Sequence, residues 1–278
     1  MTELKEWSCD LDDLPQFPAI ATKLLRVLSH DDASVQEVGG LIRADAALAS
    51  AVLRMVNSAL YAVPTPVTSI ERALVVLGFD ELKRLALALS VKSCFQNAMR
   101  LDLMRGVWRH SLACAMICED LSVACSPTQS RDDRTYTAGL LHDIGRLGIF
   151  AAHPREYAEL LTAAEPEADI LERERQVLGA DHCQAGAWLA AKWDLPAEIR
   201  SVAAGHHEPP IPQAGDVENL VRVGALLTEC LGFDIRPPRQ PRTMREIRAL
   251  LPRTAQFRFD PPPDELKARI TARLDAWD

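Results

Sequence analysis

Apolar residues recur at spacings of three and four along most of this chain, and the strict alternation of a half-buried strand is nearly absent. That pattern confines the chain to an all-α fold. Ile20, Leu24, Val27 and Leu28 stand at i, i+4, i+7 and i+8 behind the Leu14-Pro15 entry, which is the stripe of a first helix. Ser34 with Glu37 forms a capping box, the hydroxyl accepting the third amide while the carboxylate reaches back, and opens a short helix on Val35, Val38, Leu41 and Ile42. Asp45 suits the N-cap of the next helix, which uses Leu48, Val52, Met55 and Val56. Val63-Pro64-Thr65-Pro66 must be a loop, because two prolines remove amide donors and push the residues before them into extended geometry. Thr68 with Glu71 reads as a second capping box ahead of Ile70, Ala73, Leu74 and Leu77; Gly78 then stops that helix and Asp80 caps another. Residues 1–100 thus read as about five short helices around one core.

The same periodicity continues through a helix holding Trp108, His110 and Leu112, one ending in Ala138-Gly139-Leu140-Leu141-His142, one from Ala187 to Trp193, and one opened by Pro196 and running to His206. After Gly232 it weakens. Pro237, Pro238 and Pro241 mark a linker, and Pro261-Pro262-Pro263 introduces a last helix from Asp264 to Trp277. Three segments are expected: helical bundles over 1–100 and 101–235, and a basic, proline- and arginine-rich tail with a terminal helix over 236–278. Trp108, Trp188 and Trp193, at helical spacings, are read as core. Asn57-Ser58 is read as a helix end before the proline loop, His153 as a loop residue and His30 as another helix end.

With 278 residues, 48% of them hydrophobic and 25% charged, the chain has the composition of an ordinary globular protein. Its net charge of −8 argues against nucleic acid as a partner. The acidity is local: residues 101–235 hold 11 Lys and Arg against 21 Asp and Glu, whereas 236–278 hold 10 against 6. The basic tail is read as a solvated segment, or as one that docks on the acidic domain or an acidic partner. No apolar run is long enough to span a bilayer, and the start, Met1 to Glu6, is polar without the apolar core of a signal peptide, so a cytoplasmic location and no membrane association are expected. The seven cysteines, at 9, 94, 114, 118, 125, 183 and 230, are read as reduced thiols used as small apolar side chains.

Against this background stand His110, the dipeptide His142-Asp143, His182 and the dipeptide His206-His207. Imidazoles and carboxylates drawn from several helices can hold a divalent metal, whose donors must converge at about 2.0–2.2 Å. Spacing alone does not show that convergence, since no local HExxH pair is present and a single histidine is more often surface or hydrogen-bonded. The combination favours a shared site. The apolar run Gly139-Leu140-Leu141 delivers His142 and Asp143 at the end of a buried helix, where a carboxylate needs a cation or a donor. Gly145 and Gly148 just beyond permit close approach or positive φ.

The run Leu14-Pro15…Pro18, Asp45-Ala46-Ala47-Leu48, Leu53, Asn57-Ser58-Ala59-Leu60-Tyr61, Thr68-Ser69-Ile70…Ala73-Leu74…Leu77-Gly78 resembles the N-terminal signature of the HDOD family, the HD-related output domains of bacterial signalling proteins. Gly139-Leu140-Leu141-His142-Asp143-Ile144-Gly145, Gly186…Leu189…Trp193…Leu195-Pro196…Ile199 and His206-His207…Pro209 resemble its HD-related half. The resemblance covers roughly residues 11–235. It implies an all-α fold in which an HD-like helical bundle packs against an N-terminal helical bundle. By similarity to HD and HD-GYP phosphodiesterases, His110, His142, Asp143, His182, His206 and His207 occupy metal-ligand positions, for an ion whose identity among Fe, Mn, Mg, Zn and Ni is left open.

Three departures weigh against catalysis. The aspartate that closes HD sites falls within Leu220–Leu227, near Ala225, where no carboxylate stands. The extra glutamate of HD-GYP sites is Gly106, and no Gly-Tyr-Pro follows the HD pair. The lysine that often follows is Arg146, which offers positive charge to a phosphate with different geometry. Asp181, Glu208 and Asp216 are the nearby carboxylates that could substitute for the missing one. The resulting expectation is a non-catalytic regulatory module that passes a state to a protein partner and holds metal or a nucleotide in a vestigial pocket. The alternative is a metal-dependent phosphohydrolase or phosphodiesterase acting on a nucleotide or cyclic dinucleotide.

Overall fold

The computed structural model describes residues 17–28, 34–96, 98–126, 133–163, 169–235 and 242–277. The Leu14-Pro15 entry, Cys9, His30, Arg236, Arg239 and the linker prolines Pro237, Pro238 and Pro241 lie outside them. Among the described residues there are helices and no strands, and no helix is long and apolar enough to cross a membrane. The described residues of Phe17–Gln96 and Asp264–Asp278 form one compact unit, and those of Asn97–Pro263 another.

The first unit holds α1 (Ala19–Leu28), α2 (Val35–Ala44), α3 (Ala46–Val56), α4 (Ile70–Leu77) and α5 (Phe79–Cys94). α5 is its axis: Leu82, Leu85, Ala86, Leu87, Ala88 and Val91 are buried on several faces, as befits a helix wrapped by neighbours. Leu24, Ile42, Val52 and Val56 from the shorter helices are fully buried. Ser34 accepts from the Glu37 amide at 3.1 Å, and Asp45 from the Leu48 amide at 2.9 Å, so both act as N-caps. Two caps differ from expectation. Ser69, not Thr68, caps α4, because its backbone is extended and its hydroxyl reaches the Arg72 amide at 3.1 Å. Gly78 stands at the N-cap of α5, leaving Asp80 in the first turn, where it pairs with Lys83 at 3.1 Å. Asn57 ends α3 and clamps the proline loop, donating to the carbonyls of Leu53 and Val67 and accepting from the Val67 amide.

The second unit runs through α6 (Asp102–Cys125), α7 (Asp133–Leu141), α8 (Ile144–Ala152), α9 (Pro154–Thr162), α10 (Ile170–Leu178), α11 (His182–Lys192), α12 (Ala197–Gly205), α13 (Val217–Cys230), α14 (Met244–Arg248) and α15 (Arg253–Arg258). α6 is buried along most of its length and packs against α7 and α13, while α11 packs against α8 and α12. Trp108 and Trp193 are core residues, whereas Trp188 is half-buried with the Lys192 ammonium 4.9 Å from its ring centre. The six described cysteines are free thiols.

The terminal helix α16 (Pro263–Asp275) belongs to the first unit from Asp264 onward. It buries Leu266, Ile270 and Leu274, one every helical turn. Arg273 pairs with Glu81 at 3.0 Å, and Lys92 donates to the Trp277 carbonyl at 2.6 Å.

A close approach in the second unit occurs where α8 crosses α11. A Cβ on Gly145 would lie 1.9 Å from the His182 carbonyl oxygen and 2.6 Å from the Gly186 nitrogen, so only glycine fits. Gly145→Ala is expected to cost about 3 kcal/mol or more, because the obstruction is backbone and one helix must move. A urea titration checks this, and an unchanged midpoint would contradict the contact.

Candidate metal centre

Five of the six functional side chains are placed by helix ends. α7 stops at Leu141 and α8 starts at Ile144, so His142 and Asp143 occupy the joint between two buried helices. His182 opens α11 behind an Asp181–Gln184 capping box, and His206-His207 follow the last turn of α12. His110 projects from the middle of α6. All of these except His207 are buried.

The six residues meet. His142 Nε2 lies 3.3 Å from His110 Nε2, His182 Nε2 lies 3.3 Å from His206 Nε2, and His207 Nε2 lies 2.9 Å from His182 Nε2. Asp143 joins the two groups. Its Oδ1 is 3.2 Å from His206 Nε2 and 3.5 Å from His182 Nε2, while its Oδ2 is 3.8 Å from His142 Nε2 and 3.9 Å from His110 Nε2.

The other ring nitrogens decide what this convergence means. His110 Nδ1 donates to the Phe233 carbonyl at 3.1 Å, His142 Nδ1 to Gly139 at 2.7 Å, His206 Nδ1 to Ala203 at 3.1 Å, and His182 Nδ1 to the Glu174 carboxylate at 2.6 Å. Those acceptors assign the proton to Nδ1 in all four neutral rings, which leaves every Nε2 as a lone pair. Four Nε2 lone pairs therefore converge on a carboxylate that also accepts from Arg146, with His207 Nε2 beside that of His182. A divalent cation would relieve the crowding of these lone pairs. The donors fit a divalent metal: neutral imidazole and carboxylate are its ligands, and a carboxylate or carbonyl behind each ring fixes the orientation.

Electrostatics agrees. Although His207 is exposed as a residue, its ring turns in beside His182, where desolvation and then the neighbouring imidazoles push it well below the ordinary histidine range, and burial holds His110 down to about 4 against the pull of Asp143. Asp143 sits well below the usual carboxylate range although burial opposes it, because Arg146 and the histidines favour its charge. His182 is shifted upward against burial and Arg146, chiefly by Glu174.

Two parts of the site were not anticipated. Glu174, fully buried, accepts from the His182 amide at 2.8 Å, from its ring at 2.6 Å and from the Tyr157 hydroxyl at 2.9 Å. Its signal in the sequence is positional: it takes a place in the stripe Leu171, Glu174, Leu178, which ordinarily faces a core. Cys183, also buried, joins His182, His206 and His207 in one group of ligand-type atoms, with His110, His142 and Asp143 forming a second. The Cys183 thiol lies 3.9 Å from His206 Nδ1.

Arg146 does not face outward. Its Nε lies 3.0 Å from both Asp143 oxygens, and Nη1 lies 3.3 Å from the Tyr157 hydroxyl and 3.5 Å from Glu174. Nor do the three substitute carboxylates enter either group. Asp181 caps α11 and pairs with Arg175, Glu208 pairs with Arg222 at 2.6 Å, and Asp216 caps α13.

A model of the HDOD domain matches residues 14–209, well over half of the chain. An uncharacterized protein of Treponema pallidum (strain Nichols) is 26% identical over 202 residues, which are 72% of this chain and 39% of that one. This chain thus spans about two fifths of that relative's length. Among solved structures, an HDOD domain protein of unknown function from Geobacter sulfurreducens superposes with a TM-score of 0.73 at 24% identity, covering 99% of this chain and 93% of its own. A candidate signal transduction protein from Marinobacter aquaeolei VT8 gives 0.75 at 22% identity, with 95% and 60% covered. A candidate phosphohydrolase from Shewanella amazonensis SB2B gives 0.69 at 24%, with 97% and 96% covered. At these identities the structures establish a shared helical fold, and with the family match they lead to one conclusion: the chain belongs to the HDOD domain family.

Proposed function

We propose that this chain is a regulatory output module that holds a divalent metal ion in its buried histidine cluster, and that it passes its state to a protein partner without hydrolysing a phosphoester. Fold neighbours carry both signalling and phosphohydrolase names, and a fold does not choose between them. The observation that carries the reading is the position of Arg146. The guanidinium expected to meet a phosphate is buried and bonded to both oxygens of Asp143. His110, His142, Asp143, His182, His206 and His207 would hold the ion. The imidazole-rich set favours Fe, Zn or Ni over Mg and Mn, which prefer oxygen. When bound in an open site, such an ion acidifies a water molecule into a nucleophile. This chain's own residues bury the cluster on five of its six members instead.

The hydrolytic alternative, acting on a nucleotide or cyclic dinucleotide, is favoured by one feature. Asp143 directs one oxygen to each histidine group, as a bridge between two ions would.

Elemental analysis of protein purified without chelator or affinity tag, combined with turnover of generic and cyclic-nucleotide phosphodiesters, separates the two. The expected result is near-stoichiometric metal that disappears in His142→Ala, with no turnover in either protein. Turnover by the native chain that vanishes in His142→Ala would replace the regulatory reading with the hydrolytic one. A metal-free native chain would end both.

A further inference from the structure

His206 and His207 are carried by the turn from Gly205 to Glu208, and one guanidinium grips both ends of it. α12 stops at Gly205, whose carbonyl would next look for an amide at position 209, but Pro209 has none. That carbonyl accepts instead from the Glu208 amide at 3.1 Å, which closes the turn, and from Arg222 Nε at 2.9 Å. Arg222 Nη2 reaches the other end and donates to the Glu208 carboxylate at 2.6 Å. The guanidinium lies so near the backbone of the turn that a Cβ on Gly205 would stand 3.1 Å from Nη2. Arg222 belongs to α13, where Asn219 stands three residues earlier on the same face. Asn219 holds the chain beyond the turn: its Oδ1 accepts from the Ile211 amide at 2.7 Å, and its Nδ2 donates to the Ala214 carbonyl at 2.9 Å. Both side chains are buried. The first turns of α13 thus fasten the segment that carries two of the six converging residues.

We propose that Arg222 is a positioning residue of this metal centre: by pinning both ends of the turn it sets where the rings of His206 and His207 stand, and so the affinity and geometry of the ion, without being a ligand. The proposal rests on reading the cluster as a metal site. An arginine suits the link because its planar fork donates in two directions at once, whereas a lysine ammonium is a single point of charge. The buried half of the link matters more. The Glu208 side chain is 67% exposed, so its pair with Arg222 is worth little by itself, while the bond to the Gly205 carbonyl fixes the helix end from which both rings project. Charge alone predicts the opposite sign. Removing a cation from the neighbourhood of a divalent ion would leave its binding unchanged or tighter, and removing a positioning residue weakens it.

The full chain, stripped with chelator and titrated with Co²⁺, provides the test, since the visible bands of Co²⁺ report the geometry of its ligands. Arg222→Met keeps an unbranched stem and removes the fork; it is expected to weaken Co²⁺ binding by about tenfold or more and to change those bands. Arg222→Lys keeps the charge without the fork and is expected to move both in the same direction, and it decides the matter if Arg222→Met does not fold. Native or tighter affinity, or native bands, in a folded Arg222 variant overturns the proposal. His142→Ala distinguishes the levels. If it abolishes binding while the Arg222 variants bind as the native chain does, the metal site stands and the role of Arg222 falls; if the native chain takes up no Co²⁺, both fall.

Discussion

Asp143→Asn is expected to lower metal affinity at least 100-fold and to destabilise the metal-free protein by about 3 kcal/mol, two effects with one cause. Among the described residues, Asp143 is the carboxylate that faces both histidine groups, and Arg146 holds the same two oxygens. An asparagine keeps the shape and loses the charge. Its oxygen can face only one histidine group, and its amide turns two donors toward lone pairs or toward the guanidinium. The ion loses its anionic ligand, and Arg146 loses its main counter-ion inside the protein, a change that costs about 3–5 kcal/mol when a buried pair is broken. Tyr157 and Glu174 remain beside Arg146 at 3.3 and 3.5 Å, which points to the lower end of that range. Denaturant titrations with chelator and with saturating metal separate the effects, because bound metal stabilises the native chain by mass action and would stabilise Asp143→Asn far less. Equal metal-dependent stabilisation of the two proteins would remove Asp143 from the site.

The balance between legible and hidden features follows from the range of the interactions. Helix stripes and most caps are local, and Ser34, Asp45 and Asn57 act where their side chains announce. The slips are local too: Thr68 and Ser69 are adjacent hydroxyls, and only backbone geometry selects the second. The order of the histidines marked the residues that converge, and the run around His142 marked their burial. Convergence itself is a long-range property. It depends on contacts such as Gly145 against the His182 carbonyl, where the glycine is visible in the sequence and its partner is not. Glu174 was hidden for a related reason, since α10 is rich in charge and reads as solvated unless each position is placed on the stripe. The association of the terminal helix with the first unit, through Arg273 and Glu81 and through Lys92 and Trp277, joins residues some 190 positions apart and leaves no local trace.

Glu174→Gln is expected to lower stability by about 3 kcal/mol or more and metal affinity by about 10- to 100-fold. The carboxylate is fully buried, held down to about 2 although burial opposes it, by the charge and hydrogen bonds of His182 and by Arg146. One oxygen accepts two N–H groups of His182, and the other accepts the Tyr157 hydroxyl and faces Arg146. No orientation of a glutamine satisfies both sides. With its oxygen toward His182, the amide group meets the guanidinium; reversed, it confronts two donors. Tyr157→Phe calibrates the expected loss, since it removes one hydrogen bond from the same carboxylate and should cost only about 1 kcal/mol. Stability alone would not separate a buried strut from a positioning residue, but metal affinity does. Glu174 fixes the proton of His182 on Nδ1 and so turns the Nε2 lone pair toward Asp143 and His206. A folded Glu174→Gln protein should therefore bind Co²⁺ weakly even where its secondary structure is native. Native affinity in that folded protein would mean that the ring of His182 is oriented by packing alone.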